Sequence, residues 1–340
     1  MTKSANVEMP DNNPTKRHGS PMPAEGEGGV FSQGWYPICM SSEVETGKIR
    51  GENFLDGRVV VYRGEDGVAR VMSAFCPHVG ADLSVGRVIG NRIQCAFHKW
   101  EFDKAGTCVK TGIGDPPPAW AQLYKFPVTE RWGVIWAHNG ETPLWPLPDF
   151  QHPDEDLEYR VFRYPALACD PWVVAANTPD MQHVKVVHGA QFKSEDPHNL
   201  VTWDEWGFRY PILAEHQGGV PIEWEVSIRG TTLFQQQGPY GDFWLGVISG
   251  FGMPRPGRCE AFVIQLLRKE TGPDAERLQQ ERFDICVQLM RRTIDDEDAA
   301  ILNSIHYYPG ALTKGDTTLG RYLNFVRNYP RAHPSGPFIR

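Results

Sequence analysis

"CPHVGADLSVGRVIGNRIQCAFHKW", residues 76–100, decides how this chain is read. It opens with Cys-x-His and closes on Cys-x-x-His, with sixteen residues between the two halves. Gly90-Asn91 lies between two apolar runs and marks a two-residue hairpin turn. Each half therefore follows a strand, where a loop can aim a cysteine and a histidine at one point. Pro77 restrains the first loop and Gly80 relieves crowding behind it. Cys76, His78, Cys95 and His98 are thus candidates to hold one metal centre. Zinc is the simplest occupant, but common Cys/His zinc fingers place their cysteines first and their histidines second. Here the two residue types alternate, which suits a [2Fe–2S] cluster with both thiolates on one iron and both imidazoles on the other.

The flanking sequence is of the same kind. "RVVVYRG" (58–64), a turn at 65–67 and "VARVMSA" (68–74) form a hairpin signature. "RWGVIWAH" (131–138) reads as a buried strand, and no helix of useful length is expected before residue 140. Residues 30–140 are thus a small all-β domain. A stretch with four prolines and several acids over 141–156 is the linker. Beyond it, over 157–340, the pattern changes to α+β. "EYRVFRYPAL" (158–167) is a strand, "EWEVSIRGTTLFQQQ" (223–237) and "CEAFVIQLLRKE" (259–270) are long antiparallel strands, and 274–305 is a long amphipathic helix. Residues 1–29 are polar and rich in Pro and Gly, and read as a flexible lead-in that contributes no core.

Bulk properties exclude several classes. Of 340 residues, 41% are hydrophobic and 22% charged, which supports globular cores. The net charge of −8 with scattered basic residues argues against nucleic-acid binding. No apolar run approaches the ~18 residues of a membrane span, and the N-terminus lacks a signal-peptide pattern, so a cytoplasmic location is expected. Seven cysteines, an odd number, suggest reduced thiols rather than a disulfide framework.

The two Cys/His motifs resemble the Rieske signature of ring-hydroxylating, non-haem iron oxygenases. The resemblance runs from residue 34 to about 305. Three positions depart from it: Val79 stands where many members carry Arg, Ala96 where Pro is common, and Lys99 where Gly is common. None is a ligand; they bear on donor docking or cluster potential. The C-P-H-x-G-x-x-L form resembles the branch that includes 3-ketosteroid hydroxylases and aminopyrrolnitrin oxygenase. The resemblance implies a Rieske domain joined to a helix-grip (START-like) catalytic domain with an antiparallel sheet and a long C-terminal helix.

A Rieske cluster passes single electrons, so a second metal is expected. "NTPDMQHVKVVHG" (177–189) matches the family's N-x-x-D-x-x-H-x-x-x-x-H pattern. By that resemblance His183 and His188 are ligands of a mononuclear Fe(II). Asp180 then bridges His183 to His98 of a neighbouring subunit, and Asn177 stands near the iron. Thr178 as N-cap and Pro179 at the first helical position make a plausible helix start. Five residues separate the two histidines, about 140° around an ideal helix. The helix must therefore end or deform near Val187, and Gly189 is placed for that. The third ligand is expected in "TIDDEDAAILNSI" (293–305). Ile294, Asp298, Ile301, Leu302 and Ile305 fall on one helical stripe, and Asp298 is its only acid. A buried unpaired carboxylate needs a cation, so Asp298 is chosen, with Asp295 in reserve. His138, His152, His198, His216 and His306 are expected to be structural or solvated. Trp203, Trp206, Phe208, Trp224 and Phe251 are candidates to line a pocket.

The resemblance implies a terminal oxygenase of the α-only, homotrimeric type. It would take electrons from a separate NAD(P)H-dependent reductase, with or without a ferredoxin, because no G-x-G-x-x-G follows a strand here. O2 would be used to hydroxylate or O-/N-demethylate an apolar, aromatic or polycyclic small molecule. Three other readings compete: a Rieske electron carrier, an apolar-ligand-binding module without oxygenase activity, and a zinc-stabilised regulatory protein.

Overall fold

A computed structural model describes residues 20–216, 220–307, 310 and 312–340. The expectation for residues 1–19 and the His216 side chain lie outside the described set.

The N-terminal domain is built of antiparallel hairpins. Strands Ile49–Phe54, Gly57–Arg63 and Ala69–Ser73 form one sheet, and Arg87–Ile89, Arg92–Gln94, Glu101–Phe102 and Cys108–Lys110 form another. Ile89 faces Arg92 across Gly90-Asn91, and Gly90 takes φ +59°, as the two-residue turn requires. A third sheet orders Val128–Arg131, Val134–Asn139 and Gly34–Met40. Here "RWGVIWAH" departs from the single strand expected. Trp132 and Gly133 both have positive φ, +53° and +75°, and turn the chain into a hairpin. Trp is an unusual residue for such a turn, so composition hid it. Its ring is held by Arg131, 4.1 Å above it, and by a hydrogen bond donated to Asp154 at 3.0 Å.

The C-terminal domain is one antiparallel sheet in the order Leu157–Arg163, Arg258–Arg268, Phe243–Arg255, Leu233–Tyr240, Val220–Arg229, Gly207–His216, Gln191–Phe192, with Thr202–Asp204 paired beside Gly207–His216. "EWEVSIRGTTLFQQQ" is therefore two strands, bent at Gly230 (φ +58°). Helix Ala275–Met290 lays Phe283, Cys286 and Met290 on the sheet. The segment that follows it, Arg291–Asp298, is π-helical, and α-helix returns only at Ala299–Leu302. The expected unbroken helix is thus interrupted by a wider turn at the acidic run.

The two domains share a core. Trp35, Trp132, Val134 and Trp136 of the first pack with Trp145, Leu147 and Phe150 of the linker and with Ile248, Phe262 and Ile264 of the second. Trp136 is fully buried, and its ring lies over Gly250, where an added Cβ would come within 2.3 Å of it. Residues 20–29 join the packing, contrary to expectation. Met22 packs on the C-terminal core, and Glu25 is buried with its carboxylate accepting from Ser32 Oγ at 2.6 Å and Ser32 N at 2.9 Å. Asn139 clasps this region, its Nδ2 donating to Phe31, Ser32 and Ala332 carbonyls.

Gly250→Ala should destabilise the protein by about 1–3 kcal/mol through overpacking, and Trp136→Phe in the same background should recover part of it. Thermal unfolding of the two variants measures both effects.

Candidate metal centres

Cys76 and Cys95 each follow a strand of the N-terminal domain, and both thiols are buried. The first loop is closed by Gly80 N donating to Cys76 O at 2.8 Å and Cys76 N donating to Ala81 O at 2.9 Å. The second is closed by Cys95 N donating to Trp100 O at 2.9 Å. His78 and His98 are exposed, and their Nδ1 atoms meet at 3.1 Å. His78 stacks on Trp100 at 4.4 Å with 10° between planes, and Phe97 lies 3.7 Å from the His98 ring. The two loops thus bring two thiols and two imidazoles together, with the thiols inside and the imidazoles at the surface. Burial pushes the Cys76 thiol up to about 12, opposed by a backbone hydrogen bond at His78 and reinforced by Cys95 beside it. A buried thiol is costly to ionise alone, and a cationic cluster supplies the counter-charge that its thiolate needs. Donor types and arrangement fit a [2Fe–2S] group.

Two of the three departures from the family pattern, Lys99 and Val79, have physical readings. Lys99 holds φ +58°, a left-handed conformation that favours glycine, and its Nζ closes the loop by donating to Ala96 O at 2.6 Å. Val79 and Phe97 are 60% and 63% exposed beside the two histidines, so this edge is apolar where an Arg would have charged it.

In the second domain His183, His188 and Asp298 converge: one ligand atom from each lies within 4.8 Å of the others. His183 Nε2 is 2.9 Å from His188 Nε2 and 3.3 Å from Asp298 Oδ1, which is 3.6 Å from His188 Nε2. The helix carrying His183 runs only over Met181–Val186, and Gly189 follows with φ +66°. That early ending solves the five-residue spacing. Its N-cap is Asp180, not Thr178: Asp180 Oδ1 accepts from His183 N at 2.9 Å, while the Thr178 carbonyl receives Tyr210 OH at 2.7 Å. A carboxylate satisfies the exposed N–H groups of a helix start better than a hydroxyl. Burial raises the Asp180 carboxyl above its usual range.

Asp298 reaches the histidines from the end of the π-helical segment. Its Oδ1 is buried with no hydrogen-bond partner. Burial raises this carboxyl to about 6, although His188 and a hydrogen bond from Asn177 pull it down. Burial also lowers His183 to about 4, with His188 adding to the shift, so His183 is neutral above that pH. Two imidazole nitrogens and a buried carboxylate oxygen that accepts no hydrogen bond are the donor set of an iron(II) facial triad. Asp295, the reserve, is exposed and does not join the group.

Glu297, another acid of the same run, is not a third ligand but a partner of one. Its Oε2 lies 2.7 Å from His188 Nδ1, and Arg292 Nε donates to its Oε1 at 3.1 Å. Burial pushes this carboxyl up, but the His188 and Arg292 hydrogen bonds outweigh it and leave it lowered. The carboxylate fixes the His188 tautomer, leaving Nε2 for a metal. No sequence spacing announces this contact, because the π-helical turn creates it.

All three residues open on a cavity of about 250 Å³ between sheet and helix. Trp224 and Phe251 line it as expected, while Trp203 packs on Phe208 and Trp206 on the interdomain core. Of the other histidines, His138 and His152 pack against Trp35 and Trp244, and His198 bonds Thr318 Oγ1 at 2.7 Å. Among the described residues, no helix is long and apolar enough to cross a membrane.

Comparison with known proteins agrees. Residues 34–124 match the model of the Rieske [2Fe-2S] domain. The cholesterol 7-desaturase of Bombyx mori is 33% identical over 207 residues, covering 59% of this chain and 42% of that one, so the chain spans under half the length of such relatives. The oxygenase component of dicamba O-demethylase from Stenotrophomonas maltophilia is 32% identical over 298 residues, covering 73% of this chain and 88% of that one. The solved structure of Pseudomonas putida CBB5 NdmA with caffeine superposes with a TM-score of 0.66 at 19% identity, over 86% of this chain and 89% of that one, which shows the shared fold. Having matched an oxygenase component over nearly its whole length and placed both donor sets in one chain, this protein belongs to the Rieske non-haem iron oxygenase family.

Proposed function

We propose that the chain is the terminal oxygenase of a multicomponent system, fed by a separate NAD(P)H-dependent reductase with or without a ferredoxin. Cys76, His78, Cys95 and His98 hold the cluster, and His183, His188 and Asp298 hold the iron. The observation that carries this reading is the unpartnered Asp298 Oδ1 set between two imidazoles at the wall of an apolar cavity. When bound, the cluster supplies electrons singly and the iron is the site of O2 activation. The residues do the rest. Glu297 orients His188, and Asn177 steadies Asp298. Val247, Leu245 and Ile222 are among the side chains that keep water from the cavity. Its apolar lining and modest volume favour a compact aromatic molecule as substrate, to be hydroxylated or demethylated. Asp180 caps the His183 helix and is half-buried, a position suited to receiving a neighbouring subunit's His98 in a homotrimer.

Purified protein should contain about three iron and two acid-labile sulfides per chain. His183→Ala and Asp298→Ala should each fall to about two iron, with the visible cluster spectrum retained, whereas Asp295→Ala keeps three. Equal iron loss in Asp295→Ala would reassign the ligand. Glu297→Gln should weaken iron binding roughly 10–100-fold.

Asp298 must ionise to bind a cation. Its raised value of about 6 means the free site holds a proton below that pH. Fe(II) affinity of the metal-free protein should therefore fall as pH drops through about 6, with proton release on binding. In the metal-free protein the sign for stability is the opposite: ionising this buried group costs stability as pH rises from the usual carboxylate range through about 6. Calorimetric iron titrations in buffers of different ionisation enthalpy read the proton count. Affinity independent of pH from 5 to 7 would contradict the assignment.

A further inference from the structure

One buried polar group in the cavity is not used by the metal site. Gln265, on strand Arg258–Arg268, is 1% exposed and lines the cavity. Its amide nitrogen is committed: Nε2 donates to Cys286 O at 2.8 Å and faces Met290 Sδ at 3.5 Å, both on the helix above. Because a carbonyl can only accept, those contacts fix which end of the amide is nitrogen. The oxygen, Oε1, is the other end of that amide, and it is buried without any partner. A buried unsatisfied acceptor is destabilising, so the site is costly unless something donates to it.

Charge in the cavity narrows what that donor can be. Among the described lining residues there is no lysine and no arginine. Apart from the triad, the titratable lining groups are Tyr210 and Cys286; burial drives Tyr210 up, and Cys286 up to about 12, which keeps both neutral. Arg160, paired in register with Gln265, is held outside: its guanidinium lies over the Phe283 ring at 4.2 Å and donates to Gln280 at 2.7 Å. An anionic ligand would find no counter-charge here beyond the metal, and a carboxylate or phosphate would be desolvated without a partner.

We propose that Gln265 Oε1 is a substrate-positioning acceptor, so that this oxygenase takes neutral, compact apolar molecules carrying one O–H or N–H group directed at Gln265. This rests on the oxygenase reading for its meaning, since the acceptor would set which edge of the molecule faces the iron ligands. Gln265 touches the ligand's donor group and takes no part in the reaction.

The test is anaerobic calorimetric titration of the holoprotein, with its iron and sulfide content measured first. The probes are one- and two-ring aromatic scaffolds, each as the hydroxyl compound, its methyl ether and its carboxylate. Wild type should bind the hydroxyl compound of at least one scaffold about tenfold or more tighter than its ether, and carboxylates weakest. Gln265→Met, which keeps length and loses the acceptor, should erase the hydroxyl preference while iron and sulfide content stay unchanged. Equal affinity for hydroxyl and ether in wild type overturns the proposal, whatever the variant does. So does tighter binding of carboxylates, a preference that survives Gln265→Met in a metal-replete protein, or failure of every neutral compound to bind. Failure of the oxygenase reading is a different result: the hydroxyl preference holds, yet none of the bound compounds drives O2 uptake with a reductase.

Discussion

A carboxylate oxygen, Asp298 Oδ1, is buried between His183 and His188 with no hydrogen to accept. Left alone, it is a desolvated charge or a strained neutral acid; with a cation it becomes one arm of a three-point clamp. Much of the second domain serves to hold that arrangement. The helix bearing His183 ends at Val186, two residues before His188, and Gly189 follows in a left-handed conformation. The C-terminal helix widens into a π-turn so that Asp298 and Glu297 both reach the histidines. Wide turns of this kind are unfavourable and persist where a function holds them.

The cluster site obeys the opposite economy. Two tight hairpin loops place buried thiols behind exposed imidazoles, so the redox group is insulated on one side and open on the other. The two domains share one core. Trp136 on Gly250 fixes the first domain against the second, and the linker contributes Trp145, Leu147 and Phe150 to the same packing instead of passing over it.

Sequence reading named residues that the fold brings together, because metals impose residue types and spacings that survive without tertiary knowledge. Cys76, His78, Cys95 and His98 lie on loops whose hairpins were legible from Gly90-Asn91 and alternating apolar runs. Asp298 was chosen from an apolar stripe of an ideal helix, yet Ile301 and Ile305 of that stripe are 46% and 41% exposed. Ile294 and Leu302 do face the cavity, and the π-turn re-registers the rest. The choice of residue agrees with the geometry although the helix assumed for it was too regular. Glu297 and Gln265 were illegible, because each acts through contacts that only packing creates. The Trp132-Gly133 turn and the anchoring of residues 20–29 were missed for the same reason: local composition pointed elsewhere, and burial prevailed.

The central claim is that electrons stored at the cluster are spent at the site held by His183, His188 and Asp298. A single-turnover experiment reads this directly. The protein is reduced, freed of reductant, mixed with O2 and a bound aromatic compound, and cluster reoxidation is followed by its visible absorbance. Iron-loaded protein should reoxidise rapidly with formation of oxygenated product, while protein stripped of mononuclear iron, its cluster intact, should reoxidise slowly and form none. Identical reoxidation rates with and without the mononuclear iron would contradict the account and leave an electron carrier.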